Sequence, residues 1–139
     1  MLAQVSPASY LPLLARALQR LSYDCRSGNK HVACLGLREE AVAVARSIDP
    51  AMPARADVLY EALDTCQREL YVVGRRDERL AMRAEMLAIG RAQAELSGGP
   101  VVMGLHEWAA GLSEEGRYAA AADTMAASAF GGSAHAVVA

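Results

Sequence analysis

Apolar side chains recur along this chain at intervals of three and four, the spacing that gathers them on one face of an α-helix. Leu11, Leu14, Leu18, Leu21 and Cys25 form the first such stripe, after the turn signals Ser6-Pro7 and Pro12. A first amphipathic helix is predicted to start near Pro12, because the N–H that proline lacks has no intrahelical partner in a first turn. Ser27-Gly28-Asn29 interrupts or ends it, and the apolar patch His31-Val-Ala-Cys-Leu35 leads to Gly36. A second helix is predicted over Arg38 to Ile48, with Glu39 and Glu40 at the positive end of its dipole and Asp49-Pro50-Ala-Met-Pro53 as its stop. Val58, Leu59, Ala62, Leu63, Cys66 and Leu70 mark a third, closed at Val73-Gly74. A fourth runs from Asp77 to about Leu96, with Leu80, Ala84, Leu87 and Ala88 inward, and is broken by Ser97-Gly-Gly-Pro100. The fifth, from Val101, carries Leu105, Trp108 and Leu112 and ends before Gly116; the sixth runs from Tyr118 to about Phe130. Residues 1–8 read as a lead-in and 131–139 as a flexible tail with too little large apolar surface to require packing.

Composition narrows this to closely packed helices. Of 139 residues, 53% are hydrophobic but only 5% aromatic, and 29 are alanine. Alanine loses no side-chain entropy in a helix and lets helices approach closely, so a sandwich or barrel rich in valine, threonine and aromatics is disfavoured. The length suits one domain with a real core. Fourteen basic against 16 acidic residues give a net charge of -2, with no bulk attraction to phosphate backbones, so no nucleic-acid partner is expected. No charge-free run approaches the ~18 to 20 residues that span a bilayer, and the N-terminus lacks a leader pattern. No membrane partner is expected, and a cytoplasmic location is. Cys25, Cys34 and Cys66 then read as reduced, structural thiols.

Aligning the chain on three glycines exposes a repeat. Leu35-Gly36-Leu-Arg-Glu-Glu-Ala-Val, Val73-Gly74-Arg-Arg-Asp-Glu-Arg-Leu and Glu115-Gly116-Arg-Tyr-Ala-Ala-Ala-Ala put their glycines 38 (36 to 74) and 42 (74 to 116) residues apart. Behind the second and third glycines, Leu59, Leu63, Cys66 and Leu70 align with Val101, Leu105, Trp108 and Leu112. A helix–glycine turn–helix unit cannot bury its apolar stripe alone, whereas stacked copies share a core, which is the logic of a helical solenoid. Residues 28–34 stand as an insertion of seven before the first glycine, either extending the first helix or forming a short extra one.

The stretch Ser9-Tyr-Leu-Pro-Leu-Leu-Ala-Arg-Ala-Leu-Gln-Arg-Leu-Ser22, followed by Leu35-Gly-Leu-Arg-Glu-Glu-Ala-Val-Ala-Val-Ala-Arg46, resembles the tetratricopeptide-type repeats of about 42 residues found in actinobacterial proteins. The resemblance covers roughly residues 9–130. Its first-helix contact positions are matched by Leu18, Leu21 and Ser22, by Leu63, Cys66 and Gln67, and by Leu105, Trp108 and Ala109. Its small residue five after the glycine is matched by Ala41 and Ala121, and its following proline by Pro53. Arg79 stands where that pattern has alanine, and Gln67 is larger than the usual small residue. The resemblance implies a right-handed, all-α solenoid of about three hairpins. It also implies a concave face built by Arg16, Gln19, Tyr23 and Arg26, by Glu61, Asp64, Arg68 and Tyr71, and by Met103, His106, Ala110 and Ser113.

The chemistry these residues could carry is that of binding. Arginine forks clasp carboxylates, and tyrosine supplies contact area at low entropy cost, so an extended peptide or an acidic terminus suits such a groove. The expected partner-binding set is Arg16, Gln19, Tyr23, Arg26, Glu61, Asp64, Arg68, Tyr71 and His106. Against this stands an ordinary solvated face with intrahelical pairs such as Asp64 with Arg68. His31 and Cys34 have the spacing of helical metal ligands, with Cys25 upstream, but no fourth ligand follows; His106-Glu107 lacks the second histidine of a zinc-protease helix. No phosphate loop or nucleophile elbow is present. Trp108, Met82, Met86, Met103 and Met125 fall at helical spacing and read as core. The expectation is a non-catalytic interaction module without cofactor. Its alternatives are a small-metabolite-sensing domain of a larger regulator, a helical-bundle enzyme or metal protein, and self-association through the terminal repeat face.

Overall fold

In the computed structural model, which describes residues 7–26, 30–98, 108–110, 113 and 116–129, the described residues are helical with no strand. The helices are α1 (Pro7–Arg26), α2 (His31–Arg46), α3 (Arg55–Val72), α4 (Arg76–Ser97) and α5 (Tyr118–Ala129), with residues 108–110 and 113 also helical. The chain divides into two compact units, Met1–Arg76 and Asp77–Ala139.

The first unit packs α1 on α2, α2 on α3, and α1 on α3. Helix α1 starts five residues ahead of the expected Pro12, which lies inside it. Its inward stripe is also rotated from the one expected: Ala15, Leu18, Gln19 and Ser22 are buried, whereas Leu21 is half exposed. Of the expected stripe Leu18 is buried, while Leu11, Leu14 and Cys25 are partly exposed. The choice falls to the partners, since α2 and α3 present polar groups to which Gln19 and Ser22 can bond.

Helix α2 corrects the repeat register. It begins at His31, so residues 31–34 of the expected insertion belong to the start of the second helix, which was neither alternative expected, and Gly36 sits within that helix on an exposed position. Glu39 and Glu40 therefore lie in its middle, and the Glu39 carboxylate reaches Arg75 at 3.6 Å. The helix stops where expected. Ser47 is its C-cap, Asp49 Oδ1 accepts from the Ala51 N–H at 2.9 Å, and Arg55 Nε donates to the Ile48 carbonyl at 2.9 Å, so the following helix supplies a cation to the negative end of α2. Leu35, Ala41, Val42, Ala45 and Ile48 are buried.

Helix α3 matches its predicted stripe, with Val58, Leu59, Ala62, Leu63, Cys66 and Leu70 all 2% exposed or less. It closes as predicted. Gly74 takes φ 81°, the Gly74 N–H donates to the Tyr71 carbonyl and the Arg75 N–H to the Leu70 carbonyl, which is the paired bonding of a Schellman cap. Gly116 also has positive φ, so two of the three aligned glycines end or join helices and Gly36 does not. The two kinds of glycine should respond oppositely to alanine. Space is open around a Cβ at both, so Gly74→Ala meets only backbone strain and should destabilise by about 1–2 kcal/mol. Gly36→Ala should instead stabilise by up to about 1 kcal/mol, as in any exposed helix interior. Urea midpoints of the two variants check both signs.

In the second unit α4 buries Arg79, Arg83, Met86, Leu87, Gly90 and Ala94, while Ala88, expected inward, is exposed. Ala109 and Ala121 are buried together, with Trp108 and Ala120 packed against them, so Trp108 serves packing as expected. Met125 is partly exposed at 37%. Met103, the start of the predicted fifth helix, and the 1–6 and 131–139 segments lie outside the described residues.

Candidate functional site

Helix α1 runs with Leu13, Arg16, Ala17, Gln19, Arg20 and Tyr23 along one side of an open cleft of about 490 Å³, and α3 contributes Glu61. Four expected groove residues, Arg16, Gln19, Tyr23 and Glu61, thus meet at one place. Leu13, Ala17 and Arg20 join them. Arg20 was legible in principle, since a residue four after Arg16 shares its helix face. Asp64, Arg68 and Tyr71 lie on α3 but do not line the cleft. Arg68 Nη2 is held by Asp64 Oδ2 at 2.8 Å, and Gln67 Nε2 donates to Asp64 Oδ1 at 3.1 Å, so this stretch matches the intrahelical pairing weighed against a groove. The Arg26 side chain and His106 lie outside the described positions.

Charge is unbalanced along the cleft. Arg16 and Arg20 stand one helical turn apart, Glu61 stands opposite on α3, and among the described residues none of the three has an ion-pair partner. Leu13 is 65% exposed and Tyr23 52%. A cationic strip beside exposed apolar and aromatic surface is chemically suited to an anionic group carried next to an apolar one.

Behind the cleft lies a buried polar cluster that the sequence reading did not single out. Its centre is Arg38 of α2, whose side chain is 3% exposed. Nε donates to Ser22 Oγ at 3.1 Å, and Nη1 donates to the Thr65 carbonyl at 2.9 Å and to Glu69 Oε2 at 3.2 Å. The guanidinium carbon sits 5.2 Å from the centroid of the Tyr23 ring, within the range of a cation–π contact. Glu69, itself 2% exposed, spends its other oxygen on His31 Nδ1 at 2.7 Å. Ser22 Oγ donates its own hydrogen bond to the Gln19 carbonyl, and Thr65 Oγ1 lies 3.4 Å from Gln19 Oε1. One buried cation from α2 therefore holds both walls of the cleft: Tyr23 and Gln19 through α1, and Thr65, four residues from Glu61, through α3. Gln19 Nε2 and Arg38 Nη2 are buried donors with no acceptor among the described residues.

A signal for this cluster existed. Leu35, Arg38, Val42 and Ala45 follow helical spacing, as do Val58, Ala62, Thr65 and Glu69, so a cation and a carboxylate each interrupt an otherwise apolar arc. Two opposite charges on facing arcs suggest a pair. The metal alternative finds no support in the same residues: the His31 ring is engaged by Glu69 and the Cys34 thiol donates to the Ser22 carbonyl at 3.2 Å. Among the described residues no three His, Cys, Asp or Glu side chains are placed to share a cation. Burial, aided by the Glu39 carboxylate, pushes the Cys66 thiol up to about 12, so it stays protonated at neutral pH.

Set beside known proteins, the chain matches no family model, no curated protein and no solved structure. The described residues are helical, without a strand, and form a cleft on α1 and α3. Among the described residues no helix is long and apolar enough to cross a membrane.

Proposed function

We propose that the chain is a non-catalytic interaction module, a stack of tetratricopeptide-like hairpins forming a right-handed solenoid, which takes a protein or peptide segment on the face where α1 and α3 meet. The observation that carries this reading is the convergence of Arg16, Gln19, Tyr23 and Glu61 on one cleft. Its mechanism is preorganisation. Arg38 and its partners fix the walls in advance, so the segment loses conformational entropy on binding while the receptor loses little. Arg16 supplies polar anchoring and Tyr23 contact area.

Peptides selected against the full chain from a random display library test this. Arg16→Ala and Tyr23→Ala should each weaken the selected peptides by about tenfold or more, the cost of a contact near the centre of an interface. The selected set should be enriched in Asp and Glu beside apolar residues. Peptides that bind both variants as tightly as the wild type, with the fold intact by circular dichroism, would place binding elsewhere.

A second reading, a small-metabolite sensor within a larger regulator, is favoured by the cleft's volume, which falls in the range that holds small ligands. A rise in melting midpoint with one member of a metabolite panel, lost in Tyr23→Ala, would select it over peptide binding.

A further inference from the structure

The polar cluster has two ends in different surroundings. His31, at the first turn of α2, has a side chain 36% exposed and so exchanges protons with solvent; Tyr23 stands in the wall of the cleft. Glu69 and Arg38 join them, each nearly out of contact with water. With a neutral imidazole, the trio carries one positive and one negative charge, and the Glu69 carboxylate is shared between an uncharged N–H donor and a guanidinium. With a protonated imidazole the trio carries a net positive charge, and two cations compete for the same carboxylate. At Glu69 and Arg38, 2% and 3% exposed, that change is screened little.

The direction follows from the contacts. A carboxylate drawn toward a charged His31 through Oε1 holds Arg38 Nη1 less firmly through Oε2. The guanidinium keeps its bonds to Ser22 Oγ and to the Thr65 carbonyl, and its charge, now less compensated, bears on the Tyr23 ring 5.2 Å away. The groups facing the trio leave few competitors. From α1 come Ser22 and Tyr23, from α3 Glu69, the Thr65 carbonyl and the Cys66 thiol, which feels the Arg38 charge and stays protonated, and α2 itself brings Cys34, whose thiol bonds to the Ser22 carbonyl. Lys30 precedes His31 in the chain.

We propose that Arg38 is the positioning residue of the cleft and that His31 is its pH-sensitive input, with protonation of His31 carried through Glu69 and Arg38 to the Tyr23 ring. Under the binding reading above, on which this consequence rests, the cleft holds an anionic segment more tightly when His31 is charged, because the rear of the cleft has gained positive charge.

Nuclear magnetic resonance on the full chain with ring-labelled tyrosine tests the relay without any ligand. Tyr23 is assigned by its disappearance in Tyr23→Phe, and the ring resonances are followed together with the His31 imidazole from about pH 5 to about pH 8.5. The Tyr23 ring should shift with the same midpoint as His31, and this response should vanish in His31→Gln and in Glu69→Gln. Tyr10, which lies on α1 outside the cluster, should not share it. A Tyr23 ring that stays still while His31 titrates overturns the relay, as does a response that survives in His31→Gln. Should Glu69→Gln fail to fold, the wild-type titration and His31→Gln, a change at a partly exposed side chain, decide the matter alone. A peptide chosen by display should then bind about threefold to tenfold more tightly at pH 5.5 than at pH 8 in the wild type and equally at both in His31→Gln. A responsive Tyr23 ring with no cleft-binding peptide at any pH would reject the binding reading and leave the relay standing; pH-independent affinity for a peptide that does need Tyr23 would reject the relay's effect on the cleft.

Discussion

Glu69→Ala is expected to destabilise the protein by about 3–5 kcal/mol, the cost of breaking a buried ion pair from one side. The Arg38 guanidinium would keep Ser22 Oγ and the Thr65 carbonyl but lose the buried Glu69 countercharge, with Nη2 already lacking an acceptor among the described residues. The His31 ring would lose its 2.7 Å partner as well. The size of this effect comes from the orphaned charge and not from the worth of the pair. Removing both members together, Arg38→Met with Glu69→Leu, should therefore cost less than Glu69→Ala alone, although the two are more drastic changes in sequence. Urea titrations of Arg38→Met, Glu69→Leu and the double variant close a thermodynamic cycle, and a coupling energy above about 1 kcal/mol is expected for groups in direct contact. Additive single effects would mean that Arg38 and Glu69 do not depend on each other, and the cluster would lose its role in holding the cleft.

The second large effect concerns ordinary packing. Leu63 has no exposed surface, and truncation to alanine should cost about 2–5 kcal/mol through lost burial and the cavity left behind. Leu21→Ala, at a position 52% exposed, should change stability by no more than about 0.5 kcal/mol. The comparison is informative because helical spacing alone assigns both leucines to inward stripes. Equal costs in the same urea series would contradict the orientation of α1, and with it the placement of Gln19 and Tyr23 at the cleft.

How far the chain could be read depends on how local the deciding interaction is. The α3 stripe from Val58 to Leu70 was fully legible, because a long run of large apolar residues with one period leaves a single choice of buried face. The Gly74 closure was legible for a similar reason: the left-handed backbone it takes is a local preference that glycine meets at no steric cost. Gly36 misled for the converse reason. A glycine tolerates a helix interior at a cost near 1 kcal/mol, which tertiary packing of Cys34, Leu35 and Ala41 on their neighbours outweighs. Arginine at position 38 opened the helix expected from the sequence, and the approach of Ser22, Thr65 and Glu69 makes it the centre of a cluster. Of the expected groove, the α1 residues and Glu61 came together, whereas Asp64 and Arg68 turned to each other within their own helix.

From its residues alone the chain was committed to helices, through abundant alanine, apolar periods of three and four, and proline or glycine at several of the breaks. These are short-range matters of entropy and backbone geometry. Which face of α1 turned inward, where α2 began, and which charges left water were decided only when three helices met. A buried cation is tolerable solely beside its acceptors, and those acceptors lie 16, 27 and 31 residues away along the chain.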